Sequence, residues 1–237
     1  MVKPAIVTGA TGGIGDAVTA RLVSDGFRVI AIGTRRAALD DLGRRHGCEG
    51  IAVDIGDAAA VEAALAGLTA DVLVHGAGLL GPNLPIHKTP AETVAQLITV
   101  NITGMLNVLR SVVPGMTERR RGTILLLGSI CGNVAGAGPG VYSATKAAMQ
   151  SIAANLRFEL HDTPLRVGEI RLGRVRTGIH DQLDMNADFY DGYECILPSD
   201  VASTISHMLA TPPAVDFSVI EMMPTRQAAG GTRFSKS

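Results

Sequence analysis

The chain contains no tryptophan, and aromatic residues make up only 3% of it. A core without large rings must rest on Ala, Val, Leu and Ile, which suits strands buried on both faces. Cysteine is scarce too. Cys48, Cys131 and Cys195 are odd in number and widely spaced, which excludes a disulfide framework and offers no metal-ligand spacing, so no metal is expected. A reduced, cytoplasmic setting is the simple expectation. Neither sign of charge is in excess, with a net charge of −1, so nothing points to a nucleic-acid or membrane partner. No uninterrupted apolar run reaches the ~18 residues that would span a bilayer. Met1-Val2-Lys3-Pro4 leads directly into a strand-like segment, so no signal peptide is expected. Hydrophobic residues are 46% and charged residues 18% of 237 positions, which argues against disorder and for one domain over residues 1–237.

What is present is alternation. Seven short apolar runs read as strands: Ala5–Val7, Arg28–Ile32, Ile51–Val53, Asp71–Val74, Thr123–Leu127, Arg166–Ile170 and Ser218–Glu221. Between them, helical periodicity covers roughly 14–25, 36–46, 57–67, 90–117, 142–161 and 199–210. Strand and helix in strict turn imply parallel strands, and hence an α/β, doubly wound open sheet of about seven strands with helices on both faces. Asp57 and Thr89 are expected helix N-caps, the latter followed by Pro90 at a first helical position. The polar tail, 226–237, is a frayed end or a subunit contact.

Ligands of such sheets bind outside the carboxyl ends of the strands. The first strand ends in Thr8-Gly9-Ala10-Thr11-Gly12-Gly13-Ile14-Gly15, and a helix follows. Glycines let a backbone approach a ligand closely, and a helix N-terminus offers free N–H groups to a pyrophosphate. The second strand ends Gly33-Thr34-Arg35-Arg36, with no acid until Asp40. A carboxylate here would grip a ribose 2′-hydroxyl, whereas a guanidinium pairs with a 2′-phosphate. NADP is therefore favoured over NAD, with Arg35 ahead of Arg36; the alternative is that both arginines merely open the second helix. Asp54, beside Ile55, stands where a carboxylate could accept from an adenine amino group or cap a helix.

Tyr142 and Lys146 are one helical turn apart and share a face. Ser129 ends the preceding strand. A free phenol, with a pKa of about 10, is a poor base at neutral pH; a nearby ammonium favours the phenolate. Tyr142 could then exchange a proton while a hydride moves, and Ser129 could hold the substrate oxygen.

These motifs together resemble the short-chain dehydrogenase/reductase family. Thr8–Gly15 is similar to its TGxxxGxG loop, Tyr142-Ser-Ala-Thr-Lys146 to its YxxxK signature, and Ser129 and Asn101 to its Ser and helix Asn. The resemblance implies a Rossmann-like fold, Tyr142 as acid/base, Lys146 also on the nicotinamide ribose, and Asn101 supporting a proton relay through water. It further implies cofactor contacts at Ala77-Gly78, Gly173, Val175 and Thr177. It implies a homotetramer or homodimer packed through the helices at 90–117 and 142–161. Two departures stand out. The family's Asn-Asn-Ala-Gly is His75-Gly76-Ala77-Gly78, and its Pro-Gly after the sixth strand is Leu172-Gly173. The terminus Ile220–Gln227 and the stretch Gly33–Leu42 are similar to the NADP-dependent 3-hydroxy acid (serine/allo-threonine) dehydrogenases and the clavaldehyde-type reductases.

His75 is expected to fill the space of the missing Asn. Cys131 is a pocket residue or a small buried hydrophobe. Arg174 and Arg176 meet a substrate carboxylate or solvent. Residues 178–197, where the family carries a substrate lid, hold Asp181, Asp184, Asp188, Asp191 and Glu194, with Leu183, Met185, Phe189 and Tyr190 expected inward. The leading expectation is an NADP(H)-dependent oxidoreductase that interconverts a secondary alcohol and a carbonyl on a small hydroxy acid or a biosynthetic intermediate. The rivals are a 3-oxoacyl-thioester reductase and a non-catalytic dinucleotide-binding regulator.

Overall fold

The computed structural model describes residues 3–178 and 194–227. The strands are β1 (Pro4–Thr8), β2 (Arg28–Gly33), β3 (Glu49–Ala52), β4 (Val72–His75), β5 (Thr123–Ser129), β6 (Arg166–Leu172) and β7 (Val219–Met222). They form one parallel sheet in the order β3-β2-β1-β4-β5-β6-β7. The central strands β1, β4 and β5 are buried along their whole length. That is why they read as continuous apolar runs rather than alternating ones.

The helices are α1 (Gly13–Ser24), α2 (Arg36–His46), α3 (Ala58–Leu65), α4 (Ala91–Ile98), α5 (Gly104–Glu118), α6 (Gly140–Glu159) and α7 (Pro198–Ala210). Two aliphatic cores lie on opposite faces of the sheet. Val18 and Leu22 of α1, Leu39 and Leu42 of α2, and Val201 and Ile205 of α7 form one with Val7, Ala31 and Leu125. Val61 of α3, Met105, Val108 and Met116 of α5, and Met149 of α6 form the other with Ile6, Leu73 and Leu126. α1, α2, α3, α5 and α7 each bury a stripe of Val, Leu, Ile or Met, the pattern that their sequence period demands.

The strand order reverses direction between β1 and β4, which opens a crevice at the carboxyl ends of those strands. Their end residues are locked together. The Thr8 hydroxyl accepts from the N–H groups of Gly76 and Ala77, each at 3.2 Å, and lies 2.9 Å from His75 Nδ1.

Three expectations change. The helix expected over 90–117 is α4 and α5 joined by a π-helical turn, Thr99–Thr103. Thr89 is not an N-cap: its hydroxyl donates to Pro85 O across the short turn Ile86–Lys88, and Pro90 takes the cap position. The third concerns apolar length. Ala91–Glu118 runs on as 28 helical residues, long and apolar enough by composition to cross a membrane, yet Met105, Val108, Val112 and Met116 pack into the core. Asp57 does cap α3, accepting from Ala60 N at 3.0 Å.

Candidate active site

The turn after β1 is built by backbone sterics. Gly9 has φ +69°, and a Cβ there would lie 2.7 Å from Ala77 N. A Cβ on Gly15 would lie 2.2 Å from Gly9 O. Gly12 caps α1 without any side-chain hydrogen bond, so the first-turn N–H groups and the positive end of the helix dipole face the crevice. Gly13 and Ile14 turn toward the far wall, where Gly13 lies against the Thr177 side chain. A dinucleotide pyrophosphate fits this donor set and the absence of Cβ atoms.

Beyond β2, Thr34 and Arg35 are exposed. Arg36 pairs with Asp40 at 3.0 Å and also donates to Gly50 O, whereas Arg35 makes no salt bridge among the described residues. Asp54 Oδ1 accepts from Gly56 N at 2.9 Å, closing a local turn rather than capping α3. The Ile55 side chain is buried in the core, and its carbonyl accepts from Asn107. Only its backbone is left to meet a ligand.

Ser129, Tyr142 and Lys146 come together on one cavity of about 320 Å³, with Ile14, Gly78, Cys131, Arg174, Val175 and Thr177 in its walls. Ser129 ends β5, where its hydroxyl accepts from Cys131 N at 3.2 Å. Tyr142 lies in the first turn of α6 and Lys146 one turn on. The Lys146 ammonium sits 5.7 Å from the Tyr142 ring centroid and donates to Leu127 O at 2.9 Å. Burial pushes the Tyr142 phenol well above its ordinary pKa; the neighbouring Cys131 adds to this, and hydrogen bonding with Ser129 opposes it. Burial thus works against the lowered phenol expected from the Tyr142–Lys146 spacing. Burial lowers Lys146 to about 8, against the raising influence of Glu169 and Cys131.

Asn101 sits in the π-helical turn and is buried. Its Oδ1 accepts from Leu79 N at 2.7 Å, and its Nδ2 donates to Leu79 O at 2.8 Å and to Thr145 Oγ1 at 3.0 Å. The side chain is thus fully engaged in clamping the loop after β4 to α6. The extra residue of a π turn is a recurrent device for aiming such a group.

The short chain dehydrogenase family pattern matches residues 3–188. The chain belongs to the short-chain dehydrogenase family. It is 37% identical to an uncharacterized short-chain type dehydrogenase/reductase of Sinorhizobium fredii, over 98% of this chain and 95% of that one. It is 35% identical to the NADP-dependent 3-hydroxy acid dehydrogenase YdfG of Escherichia coli K12, over 95% of this chain and 96% of that one. The solved closed form of a serine dehydrogenase complexed with NADP+ superposes with a TM-score of 0.91 at 34% identity, covering 99% of this chain and all of the other.

In this short-chain dehydrogenase both departures from the family pattern have a structural answer. His75 is fully buried and held neutral, its pKa lowered to about 3 by burial and by Lys146. It takes over the link between β4 and β1 through Thr8. After β6 the strand continues through Leu172, Gly173 N donates to Met222 O at 2.8 Å, and Gln227 Oε1 accepts from Arg174 N at 3.1 Å. A Cβ on Gly173 would lie 2.7 Å from that same Gln227 oxygen, so glycine is needed where the terminal segment packs.

Arg174 lines the cavity and Arg176 is exposed. Cys131 is both a wall of the cavity and packed beside Leu80 and Tyr142. Leu80, Asn83 and Gln227 also line the cavity and were not singled out from the sequence. The rule that ligands bind beyond strand carboxyl ends pointed to the loops of Leu80 and Asn83, whereas Gln227 was marked only as the last residue of the terminus that resembles the 3-hydroxy acid dehydrogenases. Of the acidic 178–197 segment, Glu194 is described and exposed. Asp181, Leu183, Asp184, Met185, Asp188, Phe189, Tyr190 and Asp191 lie outside the described residues, as does the tail beyond Gln227.

Proposed function

We propose that this chain is an NADP(H)-dependent oxidoreductase that interconverts a carbonyl and a secondary alcohol on a small hydroxy acid. The observation that carries the reading is the convergence of Ser129, Tyr142, Lys146 and Arg174 on one cavity of about 320 Å³. Its support for the cofactor is the glycine cradle at the α1 N-terminus together with an exposed Arg35 that forms no ion pair among the described residues, which suits a 2′-phosphate. The NADP dependence named for the relative and the NADP+ complex of the structural neighbour point the same way.

In this reading the Gly9–Gly15 turn holds the pyrophosphate. Arg35 takes the 2′-phosphate and Asp54 the adenine amino group. Ala77-Gly78 and the Gly173–Thr177 loop flank the nicotinamide half, and Lys146 binds its ribose. A bound nicotinamide supplies or accepts the hydride. Ser129 holds the carbonyl oxygen where negative charge develops. Tyr142 is the group placed to exchange a proton with the substrate oxygen while the hydride moves. Lys146 keeps positive charge beside the phenol, and Asn101 acts by fixing α6 against the loop after β4. Arg174 supplies the cation for a substrate carboxylate. Exposed Ile98 and Leu106 on α4 and α5, and Phe158 on α6, support a homodimer or homotetramer packed through these helices.

The test is turnover of NADPH with a panel of short 3-oxo acids and their neutral analogues, run in parallel with NADH. Oxo acids with NADPH are expected to lead, and Tyr142→Phe is expected to lower kcat by about 1,000-fold with NADPH affinity kept. Full turnover by that variant, or a preference for neutral ketones and NADH, overturns the proposal.

A further inference from the structure

Lys146 is a buried cation, yet among the described residues no carboxylate lies within ion-pair distance of it. Its ammonium rests on Leu127 O at 2.9 Å and near Met149 Sδ at 4.0 Å. A charge so placed is costly unless opposite charge is close by. The candidate lies on the next strand. Glu169 of β6 is 1% exposed. It aligns with Leu126 of β5, which aligns with His75 of β4, so one row of the sheet carries both polar side chains on the α6 face. Glu169 Oε2 accepts from Arg171 Nε at 2.9 Å. Its Oε1 is buried with no hydrogen-bond partner among the described residues.

That orphaned oxygen has a definite place. It fills the space over Gly128, where a Cβ would come within 2.3 Å of it. Gly128 lies between Leu127, whose carbonyl takes the Lys146 ammonium, and Ser129. A glycine before the serine is therefore what admits a carboxylate beneath the site. The charged and titratable groups around Lys146 are His75 of β4, Cys131 after β5, Tyr142 on its own helix, and Glu169 with its partner Arg171 on β6; of these, Glu169 and Cys131 raise it. His75 is neutral, and it is lowered further by Lys146 itself. Glu169 raises Lys146 more than Cys131 does, and Lys146 in turn lowers the acid that burial has raised.

We propose that Glu169 is a positioning residue acting through Lys146: its buried carboxylate is the counter-charge that keeps the site's ammonium protonated. It touches neither substrate nor cofactor. The opposing account is a purely structural ion pair with Arg171, whose loss would lower stability and leave Lys146 unchanged. The inference rests on Lys146 being the cation of the site proposed above. The decisive readout needs no turnover, however, so an unsuccessful substrate panel and an unmoved amine are separate outcomes.

The experiment follows the ε-amine of Lys146 by NMR of lysine-labelled protein across pH, assigned by its loss in Lys146→Met. Glu169→Gln is expected to lower the midpoint by about one pH unit, a tenfold shift in the ammonium-to-amine ratio. In turnover, the alkaline limb of carbonyl reduction should move down by the same amount while the plateau at lower pH stays within about threefold. The reciprocal arm leaves the acid in place: in Lys146→Met, the labelled Glu169 carboxyl should titrate at higher pH, because linkage is mutual. An unmoved amine in Glu169→Gln overturns the proposal. If that variant does not fold, an unmoved carboxyl in Lys146→Met overturns it alone.

Discussion

The two sides of the crevice are held by different means. On the amino-terminal side the turn closes on itself: Gly12 N donates to Gly9 O at 3.0 Å, and Asp16 N donates to Gly12 O at 2.8 Å. Glycine stands wherever a Cβ would meet backbone. On the far side, the loop from Gly173 to Thr177 is tied to segments distant in the chain. It hangs from Met222 O, from Gln227 Oε1 and from Ile196 O, which accepts from Arg176 N at 2.9 Å. The first wall is specified by eight consecutive residues, Thr8–Gly15. The second depends on side chains and carbonyls some twenty to fifty positions further along. Rigidity that is local in sequence can be read from sequence; rigidity borrowed from a distant segment cannot.

The sharpest way to break this comparison is at Gly15. A Cβ there meets a backbone carbonyl at 2.2 Å, and a carbonyl inside a closed turn has nowhere to move. Gly15→Val is expected to weaken NADPH binding by at least ~100-fold in calorimetric titration, since the phosphate N–H groups lose their arrangement. Binding within about threefold of the parent would show that the first wall is as adaptable as the second.

His75 tests the seam between β1 and β4. Thr8 Oγ1 accepts two N–H groups, so its own proton goes to His75 Nδ1 and the ring carries its hydrogen on Nε2. The folded pKa is about 3 against an ordinary 6.5. Between those values the unfolded chain binds a proton that the folded chain refuses. Stability is therefore full above the unfolded value and falls as pH drops through the window, levelling off near the folded value. From about pH 6.5 to about pH 5 this costs roughly 2 kcal/mol. His75→Asn, which restores the family residue, should flatten that part of the stability curve in denaturant titrations at the two pH values. An identical slope in both proteins would mean that the ring is protonated, or solvated, inside the fold.

Much of the architecture was legible from the sequence for the same reason as the first wall. All seven strands and the six expected helical stretches announce themselves by local hydrophobic period, and the proposed trio of Ser129, Tyr142 and Lys146 by fixed spacing on β5 and α6. The π-helical turn was not legible, because one extra residue in a turn leaves the apolar stripe almost unchanged. Its trace is Asn101, an amide in an apolar run that must reach Leu79. Nor was the state of Tyr142. Its neighbour Lys146 is visible in the sequence, but the burial that raises the phenol is a property of packed coordinates. Glu169 was passed over because an acid in a strand gives no sign of whether it faces water or the underside of a site.

The smallest expected effect separates the two walls most cleanly. Gln227→Leu keeps the bulk that packs on Gly173 but removes the acceptor of the Arg174 N–H. A part-buried backbone donor left without its partner costs on the order of 1–3 kcal/mol, and the loop can recover some of it by shifting toward solvent. Because Arg174 and Thr177 line the cavity beside Ser129 and Tyr142, the shift should be felt chiefly at the reacting end. The expectation is a fall of about tenfold in kcat/KM for carbonyl reduction. NADPH affinity should stay within about threefold, since the Gly9–Gly15 turn is unaltered. Gln227→Glu, which retains an acceptor at the same reach, should restore most of the rate. If Gln227→Leu turns over at the parent rate, the hydrogen bond from Gly173 to β7 suffices to hold the far wall, and the terminal segment is packing rather than part of the site.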